Sequence, residues 1–210
     1  MKKLAVLLVA AASLLFAANA HAQFGIIGGL TSSNANIKTV DDVKSVSLYH
    51  AGLTYKFDLG LGFAIQPSLM YQVKGAKTGE LGQDDALNSF ELKTGFVEIP
   101  VAFQWGPDLV AFRPYLFAEP FIGYAITDAD KYDGTVKEAA KTWADNARNK
   151  LEYGFGLGAG IEIARHFQIS AQYFTNLGNV FKSEDAGKGA VADLKDVKFQ
   201  GIKVSLGILF

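Results

Sequence analysis

Residues 153–163 read Tyr-Gly-Phe-Gly-Leu-Gly-Ala-Gly-Ile-Glu-Ile, apolar at every odd position and glycine or glutamate at every even one. A repeat of two makes a β-strand with two unlike faces. A strand of a soluble protein buries its apolar face and turns charged or hydroxyl side chains to water. Four glycines on one face do neither job: they weaken a strand and add no solubility. Which face lies inside is the question that constrains this chain most.

The start of the chain narrows the classes. Lys2 and Lys3 precede an apolar run from Leu4 to Ala18, broken only by Ser13, and Ala20-His21-Ala22 offers a small-x-small cleavage site. This is the pattern of a secretory signal peptide over residues 1–22, with residues 23–210 as one mature domain. A retained anchor is the alternative, for which the run is short. No later stretch is apolar for 18 residues, so no transmembrane helix is expected. Half of the residues are nonetheless hydrophobic, with 22 glycines, 16 phenylalanines and no cysteine. An exported chain of this kind has no disulfide framework. Its formal charge of −1 argues against nucleic acid as a partner. A membrane β-barrel and a secreted lipocalin-like barrel remain.

Eight strands are expected, at about 24–34, 45–57, 60–75, 90–105, 111–127, 151–163, 166–177 and 197–210. The connections between them alternate short and long. Short ones fall at Asp58-Leu59, Gly106–Val110 and Ala164-Arg165; long ones at about 35–44, 76–89, 128–150 and 178–196. Strict alternation means an all-β, up-and-down antiparallel barrel with every long loop at one end, the arrangement of outer-membrane barrels. The apolar faces carry two aromatic bands. Phe57, Phe63, Phe103, Trp105, Phe112, Phe167 and Phe210 lie toward the short turns; Tyr49, Tyr71, Tyr124 and Tyr153 lie toward the long loops. Girdles about 20–30 Å apart suit two membrane interfaces and serve no purpose in a lipocalin core. The apolar face therefore points to lipid and the glycine face into the lumen.

Several segments strengthen this reading. "FGIIGGLTSSN", "HAGLTYKFDLGLGFAIQPSLMYQ", "FVEIPVAFQW", "FRPYLFAEPFIGYAIT" and the closing "GIKVSLGILF" resemble the outer-membrane β-barrel (porin family) proteins of Bacteroidetes, over nearly the whole mature chain. The resemblance implies an eight-stranded barrel similar to the small OmpA- and OmpX-type proteins, in the cell outer membrane. It also implies insertion by the barrel-assembly machinery, which reads a final aromatic residue, here Phe210. It supplies no catalytic residues and no cofactor. The expected surroundings are outer-membrane lipid and lipopolysaccharide, with the barrel a monomer.

Eight strands close too tightly for an open channel, so side chains must fill the interior. Counting up from the short turns puts Glu98, Glu119, Lys203 and His50 in a middle layer, Lys56, Arg113 and Glu162 in a lower one, and Glu152 and Lys74 near the top. Buried charges need partners. A salt-bridged plug is the expected arrangement, and an ion gate or acid pair the alternative. Alignment across the turn near Pro107-Asp108 sets Glu98 beside Glu119. Alignment of the next two strands sets Tyr115 beside Gly160, Phe117 beside Gly158 and Phe121 beside Gly154, so that glycines seat a row of rings.

Other candidates carry less. His50 faces the lumen and His166 lies at the short-turn end, so neither suits a lipid-modifying enzyme of the outer leaflet. "DADKYDG" (128–134) departs from the calcium-loop pattern, since Tyr132 stands where a ligand belongs. No metal site is expected. Val136, Ala139, Ala140, Trp143 and Ala147 form a helical stripe that would suit a rim helix. Pro67, Pro100, Pro114 and Pro120 fall inside strands, where bulges are expected to accommodate them.

Overall fold

A computed structural model describes residues 22–36, 43–44, 46–78, 89–109, 111–128, 131–133, 150–178 and 198–210. The signal-peptide assignment lies outside the described residues except for Ala22. So do the helical stripe of 136–147 and part of the "DADKYDG" loop, of which Lys131–Asp133 is a short strand.

The strands are β1 (Ala22–Asn36), β2 (Val43–Lys44), β3 (Val46–Gly60), β4 (Phe63–Thr78), β5 (Ser89–Trp105), β6 (Phe112–Asp128), β7 (Lys131–Asp133), β8 (Leu151–Ile163), β9 (Phe167–Asn176) and β10 (Lys198–Leu209). Eight are long. They pair in the ring β1-β3-β4-β5-β6-β8-β9-β10, and β10 returns to β1. All pairings are antiparallel, so the expected eight-stranded barrel closes without an edge. The short β2 and β7 extend β4 and β5 at the long-loop end.

Alternation decides the faces. On β10, Ile202, Val204, Leu206 and Ile208 point outward, with Ile202 56% exposed, while Lys203 between them is 5% exposed. The lipocalin alternative, which needs those four residues in a closed core, is thereby excluded. Phe63, Phe103, Trp105, Phe112, Phe167 and Phe210 are exposed in one band and Tyr49, Tyr124 and Tyr153 in the other. Tyr71 is half-buried, with its ring 6.1 Å from that of Tyr49. Phe57 departs from expectation: it is only 7% exposed, its ring 4.8 Å from that of Tyr55.

Two short turns need left-handed backbone. Gly60, Leu61 and Gly62 have φ of 83°, 54° and 82°, so the first turn falls later than the expected Asp58-Leu59. Glycine at two of these positions removes most of the steric cost. Ala164 and Arg165, at φ 51° and 61°, lead the three-residue turn between Ile163 and Phe167, the last pair of the β8–β9 ladder. His166 N–H closes it on Ile163 O at 3.0 Å.

The prolines are not accommodated by bulges. The β4–β5 register is the same at Pro67↔Val101 and at Met70↔Glu98, and the β5–β6 register the same at Pro100↔Phe121 and at Phe103↔Ala118. Pairing lapses between these points and then resumes unshifted. The register shifts that do occur lie at Asp58/Gly60 and Gly95/Phe96. A proline lacks only its own N–H, and the flanking pairs hold the alignment across it. Pro114 and Pro120 sit in the unbroken β6–β8 ladder, opposite Ile161 and Phe155.

Candidate functional site: a filled and layered lumen

The inward residues stack in three layers. In the lowest, Lys56 Nζ contacts Glu162 Oε2 at 2.9 Å and Asp58 Oδ1 at 2.8 Å. Arg113 donates to Gln104 Oε1 at 2.9 Å and Gly62 O at 2.8 Å, with Asp108 at 3.6 Å. Three glutamines roof this layer: Gln104 Nε2 donates to Gln66 Oε1, Gln66 Nε2 to Gln168 Oε1, and Gln168 Nε2 to Glu162 Oε2, at 2.6–3.0 Å. A pocket of about 170 Å³ reaches this layer, lined by Asp58, Asp108, Arg113, Glu162 and Arg165. The expected lower group of Lys56, Arg113 and Glu162 is thus together.

In the middle layer Lys203 Nζ and Gln172 Nε2 both donate to Glu119 Oε1, at 2.8 and 2.9 Å. His50 lies between two hydroxyls, Nδ1 at 3.0 Å from Thr31 Oγ1 and Nε2 at 2.9 Å from Ser205 Oγ. A cavity of about 20 Å³ adjoins Glu119, Lys203, Gln172, Gln66 and Ser68. That is room for about one water molecule.

Glu98 does not belong there. It pairs with Gly123, four residues beyond the expected Glu119, and its Oε1 lies 2.8 Å from Lys74 Nζ in the upper layer. The reason is the β5–β6 connection. Gly106 N–H bonds Gly62 O at 3.0 Å, tying the end of β5 to the β3–β4 turn. Consequently Trp105 is the last β5 residue paired with β6, opposite Leu116, and the first four residues of β6 extend past it. The neighbour of Glu98 is Glu152. A Cβ on Gly123 would come within 2.8 Å of both Glu98 Cγ and Glu152 Oε1. Lys74, Glu152 and Asn176 complete the layer, among the buried rings of Phe96, Phe121, Phe174 and Phe199. Sequence reasoning set Lys74 and Glu152 together near the top, as found, but did not bring Glu98 and Asn176 to them. The missed signal was Gly123, since the alignment that seats rings on β8 also puts Gly123 opposite Glu152.

The β6–β8 seam is as expected: Tyr115↔Gly160, Phe117↔Gly158 and Phe121↔Gly154. Each ring lies over its glycine. A Cβ at Gly158 would sit 2.5 Å from Phe117 Cζ, one at Gly160 2.5 Å from Tyr115 Cζ, and one at Gly154 would overlap Phe121. The guanidinium of Arg113 lies 5.3 Å from the Tyr115 ring centre, joining the ring row to the lowest layer. Phe210, expected as the assembly signal, has its side chain exposed while its N–H bonds Phe24 O at 2.7 Å.

Chemically, the charges of this interior are held in paired groups. The ring nitrogens of His50 face hydroxyls deep in the barrel, and His166 sits at the short-turn end with Nδ1 on Ala164 O. Among the described residues no group of three His, Cys, Asp or Glu is placed to hold a metal.

A family model described as "Outer membrane protein beta-barrel domain" matches residues 16–182. No curated protein matches the sequence. Among solved structures, Neisserial surface protein A (NspA) is similar at 12% identity and a TM-score of 0.47, over 89% of this chain and 97% of that one. Ail, the attachment invasion locus protein of Yersinia pestis, is similar at 13% identity and 0.42, over 90% and 99%. The outer membrane enzyme PagL is similar at 10% identity and 0.46, over 88% and 98%.

Proposed function

From the premise that this chain belongs to the outer membrane protein β-barrel domain family and resides in the outer membrane, we propose that it is a non-enzymatic barrel with a sealed lumen. It serves the membrane structurally or recognises partners at the surface through the long connections between its strands. The observation that carries this is the filling of the lumen: all three layers close on themselves through paired charges and glutamines. A narrow gated pore is the second reading, favoured by the pocket of about 170 Å³ at the short-turn end. A lipid-modifying enzyme is the third, and the surroundings of both histidines speak against it. The finer reading is a Bacteroidetes-type porin-family protein with a cleaved signal peptide over 1–22. It inserts as a monomer through the assembly machinery, by way of Phe210, into a leaflet of lipopolysaccharide.

Deleting the gene and complementing it tests the proposal. One arm restores the intact barrel; the other restores a barrel whose four long connections are replaced by tight turns. Equal recovery of membrane integrity indicates a structural role. Loss of surface binding by a trimmed barrel that still folds indicates recognition. Lipopolysaccharide incubated with pure protein should keep its mass; loss of an acyl chain would overturn the non-enzymatic reading.

A further inference from the structure

The upper layer goes beyond this reading. Lys74 Nζ is fully buried; it donates to Glu152 Oε2 at 3.0 Å and Asn176 Oδ1 at 3.3 Å, and it forms an ion pair with Glu98 Oε1 at 2.8 Å. A primary ammonium has three N–H donors; two are taken by these acceptors, and the Glu98 carboxylate lies in ion-pair contact beside them. The rest of its surroundings is aromatic. The ring centres of Phe121, Phe174 and Phe96 lie 4.1, 5.1 and 5.5 Å away, within cation–π range. Acceptors and rings come from four strands, β5, β6, β8 and β9, while the ammonium arrives from a fifth, β4. Two carboxylates also outnumber the single cation. Glu98 Oε1 and Glu152 Oε1 take no hydrogen bond among the described residues, although both side chains are buried.

We propose that the upper lumen is a binding site for a primary alkylammonium ion, and that Lys74 is its tethered occupant. The class is set by the donors. Each N-methyl group removes an N–H donor and holds the nitrogen off the oxygens around it, so quaternary ammonium ions are excluded despite the rings. An alkali cation wants oxygen ligands on every side, and the aromatic part of the cage supplies none. A neutral alcohol fills the space but leaves the carboxylates unneutralised. The site would take a ligand's amino group whenever Lys74 is absent or withdrawn.

Lys74→Ala tests this, because it removes a fragment with the shape of n-propylammonium and leaves the cage. The variant is refolded into detergent micelles with n-propylammonium, propyltrimethylammonium, n-propanol or sodium chloride, the salts at equal ionic strength. Unfolding midpoints are read from the heat-modifiable gel shift. At ten times its dissociation constant, n-propylammonium should raise the midpoint by roughly 3–6 °C, and the other three should not. The unsubstituted protein, its site filled, should show no shift. Equal effects of all additives, or none, would overturn the proposal. If Lys74→Ala folds only with n-propylammonium present, refolding yield gives the supporting result. If it folds under no condition, Lys74→Ala/Glu152→Gln keeps the oxygens and the rings of the site with one charge fewer. Absence of an amine-specific shift there overturns the site as well.

Discussion

The two faces of β8 show how differently one strand can be constrained. Its lumen row is Gly154, Gly156, Gly158, Gly160 and Glu162; its outer row is Tyr153, Phe155, Leu157, Ala159, Ile161 and Ile163. On the lumen row every glycine lies against a side chain of a neighbouring strand, and Glu162 holds Lys56. On the outer row Leu157 is 59% exposed, toward lipid. A lumen this narrow makes absence of a side chain a packing requirement. A fluid exterior asks only that the residue be apolar.

The sharpest way to break the contrast is Gly158→Leu. A Cβ there already meets Ala171 O and Phe117 Cζ at 2.5 Å, and the backbone oxygen cannot step aside. Overpacking should cost about 3 kcal/mol or more and abolish the heat-modifiable folded band. Glu162→Leu comes next. It strips Lys56 of one carboxylate and Gln168 of one of its two acceptors while leaving Asp58 in place. A loss of about 2–3 kcal/mol in urea unfolding from micelles is expected, less than for a fully unpaired charge. Gly160→Ala should cost less, about 1–2 kcal/mol, because it adds a single methyl and the backbone oxygen that its Cβ meets, Ile169 O, stands farther off, at 2.8 Å. Leu157→Ile, on the outer row, should change the midpoint by less than about 0.5 kcal/mol equivalent. A Leu157→Ile loss as large as that of Gly158→Leu would erase the distinction between the faces.

The same contrast explains what could be read in advance. Face and closure were legible, because a period of two survives in every long strand and the exterior tolerates no charge. The β6–β8 register was legible because the two strands share a lower end, where Ala164 N–H bonds Ala111 O at 2.9 Å, and the ladder through Pro114 and Pro120 never slips. The β5–β6 register was not. Gly106 leaves the ladder to bond Gly62 O, a contact with another turn that nothing local announces. That one displacement moved Glu98 from Glu119 to Lys74, so the upper layer was anticipated with Lys74 and Glu152 but without Glu98. Phe57 was misplaced for a related reason: alternation gives the side of the wall but not what lies beside a ring on it. The prolines were anticipated as a difficulty and answered wrongly, since missing hydrogen bonds do not by themselves shift a register.

The central claim is that the lumen is filled and sealed, and single-molecule conductance tests it most directly. Purified, folded protein is added to a planar lipid bilayer at physiological ionic strength. The filled layers predict no steady conductance above leak at moderate voltage, because Lys56–Glu162, Lys203–Glu119 and Lys74–Glu98 close the path in series. Reproducible, long-lived unitary steps from the unsubstituted barrel would contradict that claim and establish the gated pore in its place.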